Sequence, residues 1–365
     1  MRRRKKPMDF AVFLVVMVLL AIGIVMVFSA SAVKAYWDYG DPYHFFKRQL
    51  AWGVIGFVAM IFAANYDYWR LRTWAKPLFY VSIALLVFVL IPGLGIEVNG
   101  ARRWLGFGGF RLQPSEMIKL AIVVYMAAFF APNPSKVRDF WQGLVPLLVA
   151  VGISGVLIMS QPDLGTAIAV AGTAFVFLVI VGAQASHMTV LATLALPVVS
   201  WAIVSEEYRL RRFLAFLNPW ADPLDSGFHI IQALYALGSG GLFGLGLGQG
   251  RQKWFYLPEQ HTDFIFAIIG EEMGFLGCAV LMLLYGFLLW RGFRIAITAP
   301  DTFSTLLAAG IISMIGLQAI VNIGVVTATL PITGIPLPFV SFGGSSLFFS
   351  MVGVGIMLNI SKYCN

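Results

Sequence analysis

The sequence predicts an all-α integral membrane protein, a bundle of about ten transmembrane helices with both termini on the cytoplasmic side. Three observations predict it. Of 365 residues, 59% are hydrophobic and 12% are charged, against about 25% charged in soluble domains, so a water-soluble surface could not be covered. Apolar runs recur from residue 10 almost to the C-terminus, and about 20 helical residues cross a hydrocarbon core roughly 30 Å thick. The basic N-terminus, and the lysines and arginines of connections that then lie on its side, agree with the positive-inside rule.

The predicted spans are 10–31, 49–65, 77–94, 115–131, 142–160, 164–182, 188–204, 263–290, 303–327 and 345–361. The start Met1-Arg-Arg-Arg-Lys-Lys6, followed by an apolar run and Ser29-Ala-Ser-Ala32, resembles a cleavable signal peptide. The apolar run is longer than the roughly 7–15 residues of a signal core, so it is read as a retained first span. With that end inside, Arg70, Arg72, Lys76, Lys136, Arg138, Arg291, Arg294 and Lys362 are also inside. Segments 92–114, 205–262 and 328–344 are then external. The chain is read as one polytopic domain, 1–365, with 205–262 as its large external loop.

That loop is too rich in glycine and aromatic residues to be a solvated linker, and long loops without structure are uncommon unless functional. Within it, Glu206 to Leu217 alternates arginines with Leu210, Phe213, Leu214 and Phe216, the pattern of an interfacial amphipathic helix.

Composition also excludes. The net charge of +8 is dispersed among membrane loops, which fits membrane lipids and excludes a nucleic-acid face. Cys278 and Cys364 offer no disulfide framework and no metal-ligand spacing. The glycine run 238–250 contains neither GxGxxG nor GxxxxGK[ST], so no ATP or NAD site is implied. It reads as close helix packing and a loop, or as exposed backbone N–H groups approaching a diphosphate.

External arginines carry more information. Arg102 and Arg103 beside Trp104, then Arg209, Arg211 and Arg212, then Arg251 and Lys253, all lie where the inside rule leaves cations scarce. A polyanionic ligand at headgroup level accounts for them, as does ordinary pairing with phospholipids or with Glu206 and Glu207. Glu116 and Lys119, three apart on one helix face, either pair or serve a site. Asp163 at an outer turn is adequately explained as a helix cap. Glu271 and Glu272 lie two turns inside the eighth span, where at least one must face the interior.

The densest constellation is Leu257-Pro-Glu-Gln-His-Thr-Asp-Phe-Ile-Phe266. It gathers Glu259, His261, Thr262 and Asp263 at a helix start. Asp263 is either the helix N-cap or a catalytic acid or base. Thr333 to Ser346, broken by proline and glycine, is non-helical backbone that membrane depth tolerates only in a protein-lined wall. Its Ser341 and Ser345 are candidate substrate contacts.

These blocks resemble the SEDS family (shape, elongation, division, sporulation) nearly end to end. The resemblance is carried in order by Phe28-Ser-Ala-Ser31, Asn99-Gly-Ala-Arg-Arg-Trp104, Gln113-Pro-Ser-Glu116, Gln161-Pro-Asp-Leu-Gly-Thr166, Asn218-Pro-Trp220, Gly244-Leu-Gly-Leu-Gly-Gln249, Pro258 to Phe264, and Thr333 to Ser346. Through Arg251-Gln-Lys-Trp-Phe-Tyr-Leu-Pro258 and the length, the chain is most similar to the FtsW/SpoVE branch of Gram-positive bacteria, with RodA a close second.

The resemblance implies a multi-pass protein of the bacterial cytoplasmic membrane that polymerises lipid II into β-1,4 glycan strands. It implies a class B penicillin-binding protein as partner, within a division or elongation complex. It puts the family's essential aspartate on Asp263 and lends weight to Arg102, Arg103 and Trp104. A divalent metal, Mg or Mn, is left open. Two other functions compete, a lipid II flippase and a non-catalytic scaffold. A flippase favours ionisable groups at the midplane and repeat-related broken helices, whereas these candidates gather at the outer rim.

Overall fold

The computed structural model describes residues 6–98, 100–107 and 110–364. Most of the N-terminal basic cluster, and Asn99 of the first external block, lie outside the described residues. Twelve α-helices and one small sheet are formed among those described. The membrane helices are α1 (Phe10–Tyr39), α2 (His44–Asn65), α3 (Tyr68–Leu90), α4 (Pro114–Phe130), α5 (Val145–Met159), α6 (Leu164–Val181), α7 (Ala185–Val204), α10 (Ile265–Thr298), α11 (Thr302–Val326) and α12 (Gly344–Ser361). Between α7 and α10 lie the short helices α8 (Glu207–Leu217) and α9 (Phe228–Ser239).

Nine of these helices, with α5 extended back to Phe140, are long and apolar enough to cross a membrane. The tenth, α4, has 17 residues, about 25 Å at 1.5 Å per residue. Each predicted span thus has its helix, with ends shifted by a few residues. The largest shifts are at α3, which begins at Tyr68 rather than at 77, at α1, which continues two turns past the apolar run, and at α10, which continues to Thr298.

Local chemistry sets several ends. Asp9 accepts from the Val12 N–H and starts α1, and Asp301 and Ser304 form a capping box on α11, each satisfying amide groups a helix start leaves bare; Pro114, which has no N–H to satisfy, opens α4. The centre of the bundle is α11 and α12, with more than three quarters of their apolar windows buried. Helix α7 is at the rim, with Ala202 its one buried residue.

The two ends of the described chain, Lys6 and Cys364, lie at the end with short connections. There the Lys6 N–H donates to the Lys362 carbonyl, Arg291 pairs with Asp9 at 2.7 Å, and the Tyr68 hydroxyl donates to Asp301 at 2.7 Å. The opposite, loop-rich end carries three structures. One is a three-stranded antiparallel sheet, β1 (Gly95–Val98), β2 (Ala101–Phe107) and β3 (Phe110–Leu112), in that order. The second is residues 205–264, and the third is the non-helical segment 328–343.

Helix α10 is broken at Gly274, with φ of 66° and ψ of −166°, a conformation that only glycine takes without strain. The break frees backbone groups that water cannot reach in a bilayer. Residues 241–246 satisfy them. Leu245 and Gly246 donate to the Glu271 and Glu272 carbonyls at 2.9 and 3.0 Å, and Phe275 and Leu276 donate to the Gly241 and Leu242 carbonyls at 2.8 and 3.1 Å. The glycine run is therefore a packed, re-entrant partner of α10 rather than part of a wholly external loop.

Candidate active site

The loop that carries Asp263 is stapled from three sides. Asn322 of α11 donates to the Asp263 carbonyl and to the Ile335 carbonyl, both at 2.8 Å. Ser341 donates to the Thr262 carbonyl at 2.6 Å and accepts from the Leu337 N–H at 2.8 Å. The Phe342 N–H donates to the His261 carbonyl at 2.9 Å. Of the predicted non-helical stretch Thr333 to Ser346, residues 333–343 are non-helical and 344–346 open α12 instead; Gly334 lines the site cavity, and Ser341 works as a structural clamp.

Asp263 itself is left free. The N-cap of α10 is Phe264, without a side-chain capping bond, so the capping role weighed for Asp263 is not the one it takes. Its carboxylate makes no hydrogen bond or ion pair among the described residues. It lines a cavity of about 310 Å³ with Tyr208, Arg211, Arg212, Asp225, Ser226, His229, Glu259, Phe264, Ile332 and Gly334. Burial, and then the neighbouring Glu259, push its pKa up to about 7, against the pull of Arg212 and Arg103. An isolated charge in low dielectric is costly, so the proton is held more tightly.

Glu259 sits in left-handed backbone, φ 51°, which costs a non-glycine residue roughly 1–2 kcal/mol and is typical of functional sites. Its carboxylate accepts from the Thr262 hydroxyl at 2.9 Å. Arg212 is exposed and makes no ion pair among the described residues; its guanidinium lies 5.7 Å from the Tyr208 ring. Arg211, by contrast, is held by Glu207 at 2.6 Å and Asp225 at 3.6 Å.

The other candidates disperse. Arg103 donates to the Gln161 carbonyl at 2.9 Å and to the Pro162 carbonyl, holding the turn between α5 and α6. Its charge still reaches Asp263. Arg102 pairs on the surface with Glu97 at 3.1 Å, and half-buried Trp104 stands opposite Ile96 in the sheet. Asp163 caps α6 by accepting from the Thr166 N–H at 3.0 Å. Glu116 and Lys119 form a buried pair at 2.8 Å. Arg209 is turned inward, donating to the Ala202 carbonyl at 3.0 Å and the Tyr208 hydroxyl at 3.0 Å.

Lys253 is buried against Glu272 at 2.8 Å, and Glu272 also accepts from Ser29 at 2.6 Å and from the Gly248 N–H at 3.0 Å. Glu271 accepts from the Arg251 and Gln252 N–H groups at 2.7 and 3.2 Å; the Arg251 side chain is exposed. Glu271 is therefore spent on the loop, and Glu259 is the glutamate that raises the Asp263 pKa. Ser345 ties β3 to α4, donating to the Arg111 carbonyl at 3.2 Å and accepting from the Gln113 N–H at 2.9 Å. His261 is wedged between Phe45 and Phe342, at 4.4 and 5.6 Å between ring centres, and burial lowers its pKa to about 4. It does not line the cavity.

Sequence reasoning missed Tyr208, Asp225, Ser226 and His229 as cavity residues, and Asn322 as the staple. An amide side chain in the apolar run 303–327, where only Gln318 and Asn322 carry one, was a legible signal for Asn322. Among the described residues no group of three or more His, Cys, Asp or Glu side chains is placed to hold a metal ion. Glu259 and Asp263 are two carboxylates, one short of such a set.

The chain matches the family FTSW_RODA_SPOVE, cell cycle protein, over residues 9–365. It is 49% identical to the stage V sporulation protein E of Bacillus subtilis over 363 residues, covering 100% of this chain and 99% of that one. It is 43% identical to a probable peptidoglycan glycosyltransferase FtsW of Geobacter sp. strain M18, covering 98% of each. Among solved structures it is similar to a chain of a peptidoglycan synthase complex that coordinates polymerization and crosslinking, with a TM-score of 0.79, 29% identity and 98% and 99% coverage. It is also similar to the rod shape determining protein RodA of Thermus thermophilus, with a TM-score of 0.72, 29% identity and 98% coverage of both chains.

Proposed function

Because the chain belongs to the FtsW/RodA/SpoVE family of cell cycle proteins, we propose that it is a peptidoglycan glycosyltransferase of the bacterial cytoplasmic membrane. In this reading it polymerises lipid II at the loop-rich end, facing outward, with Asp263 as general base. The observation that carries it is the free, proton-hungry carboxylate of Asp263 in a cavity that also holds an unpaired arginine.

The chemistry asks for those two groups. The acceptor hydroxyl gives its proton to Asp263 as its oxygen attacks the anomeric carbon of the donor. The bond from that carbon to the diphosphate oxygen breaks, and the diphosphate leaves with the electron pair. Arg212 stabilises the departing charge. One displacement inverts an α-linked donor to a β-linked product, so no nucleophilic carboxylate is needed. A base is most effective near the working pH, which is where the environment of Asp263 puts it.

The broken α10 and the buried Lys253–Glu272 pair are features a flippase would use. Here they are saturated by fixed partners, which favours the polymerase reading. Similarity to a chain of a peptidoglycan synthase complex supports a class B penicillin-binding protein as the transpeptidase partner. Purified protein with that partner should convert lipid II to polymer, and Asp263→Asn should not. A wild-type preparation that binds lipid II and makes no polymer overturns the reading.

Orientation is tested separately. Leu224 is 88% exposed in the loop after α8. A cysteine there should react with an impermeant thiol reagent added outside intact cells, and labelling only after lysis reverses the orientation.

A further inference from the structure

We propose that His229 orients the acceptor sugar, its imidazole hydrogen-bonding a hydroxyl beside the attacking one and turning the acceptor toward Asp263. The inference rests on the polymerase reading and adds a subsite on α9. His229 is the second residue of that helix. It lines the same cavity as Asp263, Glu259 and Arg212, and its ring packs on Phe264, the neighbour of Asp263, at 5.8 Å between centres.

His229 makes no hydrogen bond or ion pair among the described residues. The polar groups around it are committed elsewhere. The Ser226 hydroxyl donates to Asp222 at 3.0 Å, Asp225 faces Arg211, and the Tyr208 hydroxyl lies between the Pro162 carbonyl and Arg209. A half-buried imidazole with both nitrogens unused, in a cavity, is available to a ligand.

The kind of ligand follows from charge. Burial, and then Arg212, hold the His229 pKa below its usual range, so the ring is neutral near pH 7 and offers one donor and one acceptor. A sugar hydroxyl, itself donor and acceptor, matches that pair. A phosphate gains no charge from the neutral ring and is drawn instead to Arg212, the unpaired cation of the same cavity. The diphosphate therefore belongs beside Arg212 and a sugar beside His229. That sugar is the acceptor, because the ring rests on Phe264, adjacent to the residue that takes the acceptor's proton.

Two variants separate hydrogen bonding from packing. His229→Phe keeps the ring on Phe264 and removes both polar nitrogens; His229→Gln keeps a donor and an acceptor and removes the ring. Initial rates of lipid II polymerisation would be measured across lipid II concentrations, with melting temperature alongside. His229→Phe should lose at least about tenfold in kcat/KM, mostly through KM, with unchanged melting. His229→Gln should stay within about threefold of wild type. A fully active Phe variant, or Phe and Gln variants equally impaired, overturns the proposal. Wild type that makes no polymer takes both readings down, whereas wild-type polymer with an unaffected Phe variant sinks only the acceptor subsite.

Discussion

Within ten residues at the start of α10 the protein treats two sets of carboxylates in opposite ways. Glu271 and Glu272 are saturated, accepting from Ser29, Gly248, Arg251, Gln252 and Lys253. Asp263 faces a cavity and has no hydrogen-bond or ion-pair partner among the described residues. Since buried polar groups are nearly always satisfied, a partly buried carboxylate left without partners marks where a ligand supplies them. The same residue chemistry holds the fold at one level and does work at another.

The largest expected effect should come from breaking the saturated set. Lys253→Met leaves Glu272 charged and buried, which should cost about 3–5 kcal/mol of stability. The double change Lys253→Met with Glu272→Gln should recover much of it. Thermal melting in detergent tests this, and a single mutant melting like wild type would mean the pair is solvated.

Asp263→Asn should do the reverse, with normal expression and melting but polymerisation lower by about 100-fold or more. Near wild-type rates in that variant would move the base to another residue. Arg212→Ala should slow polymerisation roughly tenfold, the scale of one charge-assisted hydrogen bond of about 1.5 kcal/mol.

The pH profile sharpens the contrast. With Asp263 pushed up to about 7, activity should rise as pH climbs through that value, because the base works deprotonated. Glu259→Gln removes a negative neighbour that raises the pKa, so the midpoint should fall. Arg212→Ala removes a positive neighbour that lowers it, so the midpoint should rise. Midpoints that stay put in both variants would assign the profile to a different group. The smallest effect should be at Arg102, whose surface partner Glu97 is half exposed. Such pairs contribute about 0–1 kcal/mol, and Arg102→Ala should leave melting and polymerisation close to wild type.

How much of this was legible beforehand depended on range. The ten spans were readable because hydrophobic runs are local, and Asp263 because Glu259, Thr262 and Asp263 are close in sequence. The cavity's far wall was not. Tyr208, Asp225 and His229 come from 34 to 55 residues upstream, and what brings them to Asp263 is the packing of α8 and α9, which no periodicity encodes. Nor could spacing decide which arginine is free. Arg211 and Arg212 are adjacent in sequence, yet only Arg211 meets carboxylates. Arg103 carries the same charge and is taken up by two carbonyls.

The break at Gly274 has a consequence for biosynthesis. Chains emerge N-terminus first, and every group that heals the break or neutralises Glu272 precedes it, with Ser29 in the first helix, then 241–246, Gly248 and Lys253. When residues 271–276 enter the bilayer, their partners have already been made. A circular permutant that opened the chain between α9 and α10 and placed α10 first would have to insert a helix with bare backbone groups and an unneutralised glutamate. Its yield in the membrane should collapse even if the finished fold were the same.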